Sequence, residues 1–343
     1  MPIPSQPSNS ELKFINRVIS QINVDIDVKD LDVLEVTEDY DMYRIFSKDK
    51  VYSFKFSYDH ENKFLLKEIK NSKSLKVDNV SRYIEGGTVT VGEKILYLLS
   101  EFHNGEPIMN VARSYISSNF EDFLESYRKI HSQKLGRLTY KGLSMQFLKD
   151  CDVKNVFSPE NILAINSHSD FEVIRNIVSS LRSDIKTRLN KLNNKSTGLL
   201  VGGLHPCNIF VDKGKIFFDD LRFVCKGHVF SDLSSLILSF GIKEKTETQL
   251  VKSLCSYFGL DYDKGLYNDF YNIELRKHCI SYLLRYLKEV YIYESQRVYE
   301  IIRVIDEFSL CYERMCKIPV FKENREFIRK NITEPVLEDG PNS

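Results

Sequence analysis

The 343-residue chain has no tryptophan, no net charge and no long apolar run, and the last two absences each disfavour a class of protein. Its 48 basic and 48 acidic side chains cancel, so the overall charge does not favour binding to nucleic acid or to an anionic membrane. No apolar stretch reaches the roughly 18 residues that a spanning helix requires, and the first residues lack the order of a signal peptide. The seven cysteines include no Cys-x-x-Cys pair, which favours reduced thiols over disulfides or zinc. We therefore expect a cytoplasmic protein with no membrane or nucleic-acid partner.

Strand-like patterns fill the first third of the chain, and helical periodicity fills the rest. Ser10 is a candidate cap for a helix over 11–22, and a second helix is expected to begin near His60. Five strands are predicted, at about Leu31–Val36, Tyr43–Ser47, Val51–Phe56, Thr88–Val91 and Ile95–Phe102. The expected fold is α+β, with an antiparallel five-stranded sheet and one packed helix in residues 1–104 and a mostly helical region in residues 105–343.

The sharpest motif lies in the segment 199–233. Two short strands joined by a tight turn are predicted there, formed by Ile209–Asp212, Lys213-Gly214 and Lys215–Asp219. This hairpin brings Asn208 and Asp220 to neighbouring loop positions. An amide oxygen and a carboxylate are hard oxygen ligands of the kind that Mg²⁺ bridging nucleotide phosphates prefers. We therefore expect Asn208 and Asp220 to bind magnesium.

The order of residues in this segment resembles the catalytic segment of the aminoglycoside phosphotransferase and choline kinase-like family. In that family a histidine-glycine-aspartate-leucine-histidine-proline-x-asparagine run is followed by an isoleucine-aspartate pair and, later, by aspartate-leucine. The matching residues here are Leu204, His205, Pro206, Asn208, Asp220 and Asp232-Leu233. The resemblance implies a two-lobed protein kinase-like fold with a sheet-containing N-lobe and a helical C-lobe. It also implies ATP and Mg²⁺ as cofactors of phosphoryl transfer.

A second stretch resembles the hinge that connects the two lobes in this family. Glu101, Phe102 and His103 form a glutamate-aromatic start that leads into glycine-glutamate-proline. A hinge backbone that is unpaired on one side can hydrogen-bond the edge of adenine. We expect the base of a nucleotide to lie against these three residues.

Lys55 is the candidate lysine for the nucleotide phosphates. It alternates with aromatic residues along its predicted strand, so it faces away from them. Glu61 and Glu68 are both candidates to hold this lysine, because residues seven apart lie on roughly the same face of a helix. The sequence does not choose between the two glutamates.

The chain departs from the family at the catalytic base and at the first turn of the sheet. Val201 stands where the family has histidine, and Gly203 stands where it has the catalytic aspartate, so no side chain there accepts the proton of an attacking hydroxyl. The turn 36–42 has no glycine and carries Glu38, Asp39 and Asp41, whose charges repel phosphate.

Two residues are possible substitutes for the missing base. His205 belongs to the motif, where a supporting role in the loop is the alternative to catalysis. Asp219 precedes Asp220, and strand alternation predicts that their side chains face opposite ways.

Three functions are compatible with this pattern. The missing aspartate favours a pseudokinase that serves as a nucleotide-binding or scaffold module. The retained Lys55, Asn208 and Asp220 favour an active ATP-dependent phosphotransferase with a small hydroxyl acceptor and a non-standard base. A structural component of an assembly that merely keeps the fold is the third reading. The sequence names neither the acceptor nor a protein partner.

Overall fold

The structure is a computed structural model, and it describes residues 8–22, 24–36, 40–48, 50–102, 105–108, 114–135, 138–165, 169–192, 196–291 and 298–333. The chain divides into two compact units. The first consists of Met1–Arg137, Gly198–Gly202 and Pro206–Lys226, and the second of Leu138–Thr197, Gly203–His205 and Gly227–Ser343. The proposed lobe boundary after residue 104 stays a prediction.

The first unit contains the predicted antiparallel sheet, with strand order β1-β2-β3-β5-β4. Its strands are β1 (Asp30–Val36), β2 (Asp41–Phe46), β3 (Val51–Ser57), β4 (Arg82–Val91) and β5 (Glu93–Glu101). β4 begins six residues before the predicted Thr88, because Gly86-Gly87 continues the extended backbone and pairs with Leu98 and Tyr97 of β5. The predicted strand that ends near Phe102 is an inner strand of this sheet, since β5 pairs with both β3 and β4.

A helix covers each face of this sheet. α1 (Asn9–Gln21) buries Ile15, Val18 and Ile19 among the apolar side chains of β2, β3 and β5. Its cap is Ser8, not the predicted Ser10, because the Ser8 hydroxyl accepts from the Glu11 amide and the Glu11 carboxylate accepts from the Ser8 amide. α2 (Lys63–Ser74) packs its Leu65 against other apolar side chains of β5, namely Leu96 and Leu98.

The predicted hairpin is present in the first unit. β8 (Ile209–Asp212) pairs with β9 (Lys215–Phe218), and β6 (Glu106–Pro107) pairs with the other edge of β8. Lys213 and Gly214 both have positive φ, 49° and 79°, as a two-residue turn between twisted strands requires. The same unit contains α3 (Tyr115–Ser118), α4 (Phe120–His131) and β7 (Gly198–Leu200). His131 is buried, and its Nδ1 lies 2.8 Å from the carbonyl oxygen of Leu199.

The second unit is helical, as the periodicity predicted. Its helices are α5 (Tyr140–Asp150), α6 (Val153–Val156), α7 (Pro159–Ile165), α8 (Ser169–Lys191), α9 (Val229–Ser239), α10 (Glu244–Phe258), α11 (Lys264–Tyr291), α12 (Val298–Met315), α13 (Pro319–Glu323) and α14 (Arg325–Ile328). α11 packs against α8, α9 and α12, so it forms the centre of this unit. Among the described residues, no helix has the length and hydropathy needed to cross a membrane.

Candidate functional site

A buried ion pair connects the middle of the sheet to α2. Lys55 lies on β3 opposite Leu98, on the sheet face that α2 covers. Its Nζ donates to Oε1 of Glu68 at 2.7 Å, and the two side chains are 5% and 3% exposed. Burial raises the pKa of Glu68, and the positive charge of Lys55 opposes this effect. The pair therefore holds two ionisable groups in an environment that penalises their charge.

The structure selects one of the two candidate glutamates. Glu61 is exposed in the turn before α2, and its backbone amide donates to Asp59. The expectation that it shares a helix face with Glu68 is wrong, because α2 begins at Lys63 after the cap Asn62 and not near His60. Asn62 ends the preceding turn by accepting from two amides of the first helical turn.

Two consecutive carboxylates complete the surroundings of Lys55. Oδ2 of Asp219 lies 3.7 Å from Nζ of Lys55. Burial lowers the pKa of Lys55, but the charges of Asp219, Glu68 and Asp220 outweigh this effect and raise it above its ordinary value. The prediction that Asp219 faces away from Asp220 is wrong. Strand alternation ends at Phe218, and Asp220 has a left-handed backbone (φ 56°, ψ 69°) that turns it toward the same group of charges.

Arg222 is the residue of this site that the sequence argument missed. Its guanidinium donates two hydrogen bonds to Asp220, from Nε to Oδ1 at 2.5 Å and from Nη2 to Oδ2 at 2.6 Å. Burial disfavours the charge of Asp220, yet Arg222 and Lys55 hold the pKa of this carboxyl below its ordinary range. The ring of Tyr40 lies 5.3 Å from the guanidinium carbon and 5.9 Å from Nζ of Lys55. We refer to Lys55, Glu68, Asp219, Asp220 and Arg222 as the ion cluster.

Two contacts hold the turn that carries Asp220 and Arg222. On one side, Nδ2 of Asn71 on α2 donates to the carbonyl oxygen of Leu221 at 2.7 Å. On the other side, Gly202 has φ +78°, and a Cβ built on it would lie 2.0 Å from the carbonyl oxygen of Phe223. Only glycine allows so close an approach of two backbone segments. The sequence signal for this contact was the glycine itself, next to the motif.

Asn208 lies beside Asp220, as the hairpin predicted. Its backbone carbonyl accepts from the Asp219 amide at 2.9 Å, and its Nδ2 donates to Oδ2 of Asp220 at 3.4 Å. Both oxygens of Asp220 accept from the cationic Arg222, and Asn208 presents a donor to the same carboxylate, so a magnesium ion here would lie against a positive charge and an N–H group. The residues in this arrangement do not fit a metal ion. Among the described residues, no cluster of three or more histidine, cysteine, aspartate or glutamate side chains is placed to hold one.

Gly203 and His205 belong to the second unit. Gly203 has φ +99°, a conformation that side chains rarely adopt. His205 is half-buried, and its positive charge would disfavour protonation of His278. Burial, together with His205, lowers the pKa of His278 to about 4, although Glu274 opposes this shift. The role of His205 as a substitute base stays a prediction.

The residues predicted to form the hinge lie at the end of β5. The carboxylate of Glu101 lies 3.1 Å from Lys50 and 3.7 Å from Arg82. The amide of Phe102 donates to the carbonyl oxygen of Val51 at 2.8 Å, so this donor is engaged within the sheet. His103 lies outside the described residues. The contact of these residues with adenine stays a prediction.

The glycine-free turn is described only at its ends. Glu38 and Asp39 lie outside the described residues. Asp41 begins β2, and burial raises its pKa, with a smaller contribution from the charge of Glu11.

No protein-family model matches the chain. A comparison of its sequence with curated proteins also finds no match.

Comparison with solved structures, by contrast, finds many of similar fold. The choline kinase LicA from Streptococcus pneumoniae superposes with a TM-score of 0.57 at 16% identity, over 88% of this chain and 99% of that chain. The amicoumacin kinase hAmiN gives a TM-score of 0.62 at 12% identity, over 91% and 97%. A thermostable mutant of aminoglycoside phosphotransferase APH(4)-Ia gives 0.59 at 10% identity, over 91% and 98%. The expected fold is confirmed: this chain has the kinase-like fold of the choline kinases and aminoglycoside phosphotransferases.

Proposed function

We propose that this chain is a pseudokinase, a protein of phosphotransferase fold that binds a nucleotide at the ion cluster and transfers no phosphoryl group. It serves as a binding or scaffold module. The cationic groups of Lys55 and Arg222 face the nucleotide phosphates in this proposal. The relatives by fold support the ligand class, since hAmiN was solved with AMP-PNP and LicA with AMP.

The observation that carries this proposal is the backbone of Gly203. The resemblance gives this position to the catalytic carboxylate, and loss of a positioned base costs on the order of 10²–10⁴ in rate. At φ +99° the position also favours glycine over any residue with a side chain. The carboxylate is therefore missing from the sequence, and the local conformation is unsuited to restoring it.

The pair of Lys55 and Glu68 supports a ligand-binding role. Two charges that are 5% and 3% exposed lose most of their hydration. Replacement of a buried ion pair by apolar residues of similar volume is often neutral or stabilising. Stability alone therefore gives little reason for this pair, whereas a phosphate ligand requires a positioned lysine.

The test is a titration of the purified protein with a fluorescent ADP analogue, together with an assay of ADP formation from ATP. We expect the wild type to bind, Lys55→Met to bind about tenfold more weakly or worse, and ATP to remain unconsumed. Lys70→Met, an exposed lysine of the same helix that carries Glu68, is the matched control and should bind like the wild type. A wild type that binds no nucleotide would contradict the proposal.

A second candidate function is supported by the position of Asp219. Its carboxylate is 14% exposed and lies 3.7 Å from Nζ of Lys55, so it is an accessible base within the ion cluster. An active phosphotransferase would use it to accept the proton of a hydroxyl acceptor. ATP turnover with choline, sugars or aminoglycosides that Asp219→Asn abolishes would establish this function. Asp212→Asn, in the same hairpin, is the control that should retain turnover.

A further inference from the structure

Arg222 occupies both carboxylate oxygens of Asp220. The two bonds, of 2.5 Å and 2.6 Å, run from one edge of the planar guanidinium to Oδ1 and Oδ2. Bidentate pairing of this kind is charge-assisted and adds geometric specificity to its energy. The two side chains are 19% and 11% exposed, so bulk water screens the contact only weakly.

Local structure holds the guanidinium in this place. The left-handed backbone of Asp220 allows its side chain to face that of Arg222, only two residues along the chain. The aromatic rings of Tyr40 and Phe223 lie 5.3 Å and 5.4 Å from the guanidinium carbon, within the range of cation–π attraction. The close approach of Gly202 to the carbonyl of Phe223 fixes the end of the same turn.

We propose that Arg222 is a built-in cation that takes the place of a divalent metal ion on Asp220, so that phosphate binding at the ion cluster does not depend on a metal. A metal ion on Asp220 would have to lie against the positive charge of a guanidinium that already binds both oxygens. It would also meet the donor Nδ2 of Asn208, 3.4 Å from Oδ2. The statement about phosphate rests on the proposed function. The exclusion of the metal from Asp220 does not.

The arrangement also gives Arg222 the outer position in the ion cluster. Its side chain is 19% exposed, compared with 5% for Lys55. The guanidinium uses its Nε and Nη2 edge on Asp220, which leaves Nη1 on the opposite edge. The guanidinium is therefore the more accessible of the two cations.

The first arm of the test uses Mn²⁺ alone, because Mn²⁺ binds to the same oxygen ligands as Mg²⁺ and loses its free-ion EPR signal when it binds. We expect no binding at Asp220 in the wild type. Arg222→Gln should bind Mn²⁺, with at least about tenfold higher affinity than the wild type, and Arg222→Gln/Asp220→Asn should lose this gain. Arg82→Gln, an exposed arginine of the same unit, is the matched control and should behave like the wild type.

Two results of this arm would overturn the proposal. One is Mn²⁺ binding by the wild type that Asp220→Asn abolishes. The other is an Arg222→Gln variant that is folded but binds no Mn²⁺. Asp220 would then not be a metal site even without the arginine, and Arg222 could not be said to replace a metal ion there. Arg222→Lys keeps the charge and loses the bidentate geometry, so its affinity for Mn²⁺ should lie between those of the wild type and Arg222→Gln. It also keeps the test decisive if glutamine at this position prevents folding.

The second arm measures the affinity of the wild type for the fluorescent ADP analogue in excess EDTA and in excess Mg²⁺. We expect the two values to agree within about twofold. Binding that requires Mg²⁺ would refute metal-independent recognition. An absence of nucleotide binding in both buffers would refute the proposed function, whereas the Mn²⁺ arm still decides whether Arg222 excludes the metal.

Discussion

Replacement of Gly202 by alanine is expected to destabilise the first unit by two separate effects. A side chain at φ +78° costs about 1–2 kcal/mol of conformational strain. The new Cβ would also lie 2.0 Å from the carbonyl oxygen and 2.6 Å from the carbonyl carbon of Phe223. No rotamer change relieves a clash with backbone, so the segment must shift, at a cost of about 1–3 kcal/mol. The expected total is about 3 kcal/mol.

Gly214→Ala is a matched control within the same unit. Gly214 has φ +79°, nearly the value at Gly202, but nothing lies within 4 Å of a Cβ built on it. This variant should therefore show the strain alone, about 1–2 kcal/mol. The difference between the two variants isolates the energy of the close backbone contact, and we expect it to be about 2 kcal/mol.

The free energy of unfolding, measured by urea titration with circular dichroism, tests this reasoning. A midpoint temperature should fall by about 2–4 °C per kcal/mol for a unit of this size. Equal costs for the two variants would refute it, because the contact with Phe223 would then carry no energy. Gly202→Ala should also loosen the neighbouring Arg222, and a partial gain of Mn²⁺ binding would show this.

Three further variants test other features of the structure. Gly203→Asp should lower the free energy of unfolding by about 1–3 kcal/mol, because the backbone at this position has φ +99°. It should produce no phosphoryl transfer, as measured by consumption of ATP. His278 has a pKa of about 4 in the folded protein, against an ordinary value of 6.5. As the pH falls, the unfolded chain therefore binds this proton first, and the free energy of unfolding decreases between about pH 6.5 and pH 4. The decrease is at most about 3 kcal/mol. His278→Asn should abolish that loss, and the exposed His60→Asn should leave it in place when unfolding is measured across this pH range. Glu68→Gln should weaken nucleotide binding and lower the free energy of unfolding by about 1–3 kcal/mol, because Lys55 loses its nearest carboxylate. The control Glu61→Gln should change the free energy of unfolding by less than about 0.5 kcal/mol. Equal effects of the two substitutions would contradict the pairing of Lys55 with Glu68.

The sheet and the hairpin were predictable because local pattern and packing agree there. The aromatic residues of β3 alternate with Lys55, and the structure buries Phe54 and Phe56 in the core shared with α1. Lys213-Gly214 is a turn sequence with the φ values that a hairpin requires. In both places the period of the side chains decides which face is buried.

The ion cluster was only partly predictable, because its geometry depends on one backbone conformation. Strand alternation was extended through Asp219 and Asp220, but Asp220 adopts a left-handed conformation, which aspartate tolerates and no neighbouring residue signals. The pairing of Arg222 with Asp220 follows from that conformation. Similarly, Glu68 could not be preferred to Glu61 until the cap at Asn62 fixed where α2 begins.

Helix α2 makes two contacts at this site: Glu68 accepts from Lys55, and Asn71 donates to the carbonyl oxygen of Leu221, in the turn that carries Asp220 and Arg222. A displacement of this helix breaks both contacts together, so the conformation of the 220–223 turn and the position of α2 are thermodynamically linked. The linkage is reciprocal. A macromolecule that binds more tightly to one position of α2 changes the affinity of the turn for its ligand by a given factor. A ligand bound at the turn changes the affinity of α2 for that macromolecule by the same factor. Such a coupling along a single helix is sufficient for a binding partner at α2 to respond to the presence of a ligand at the turn.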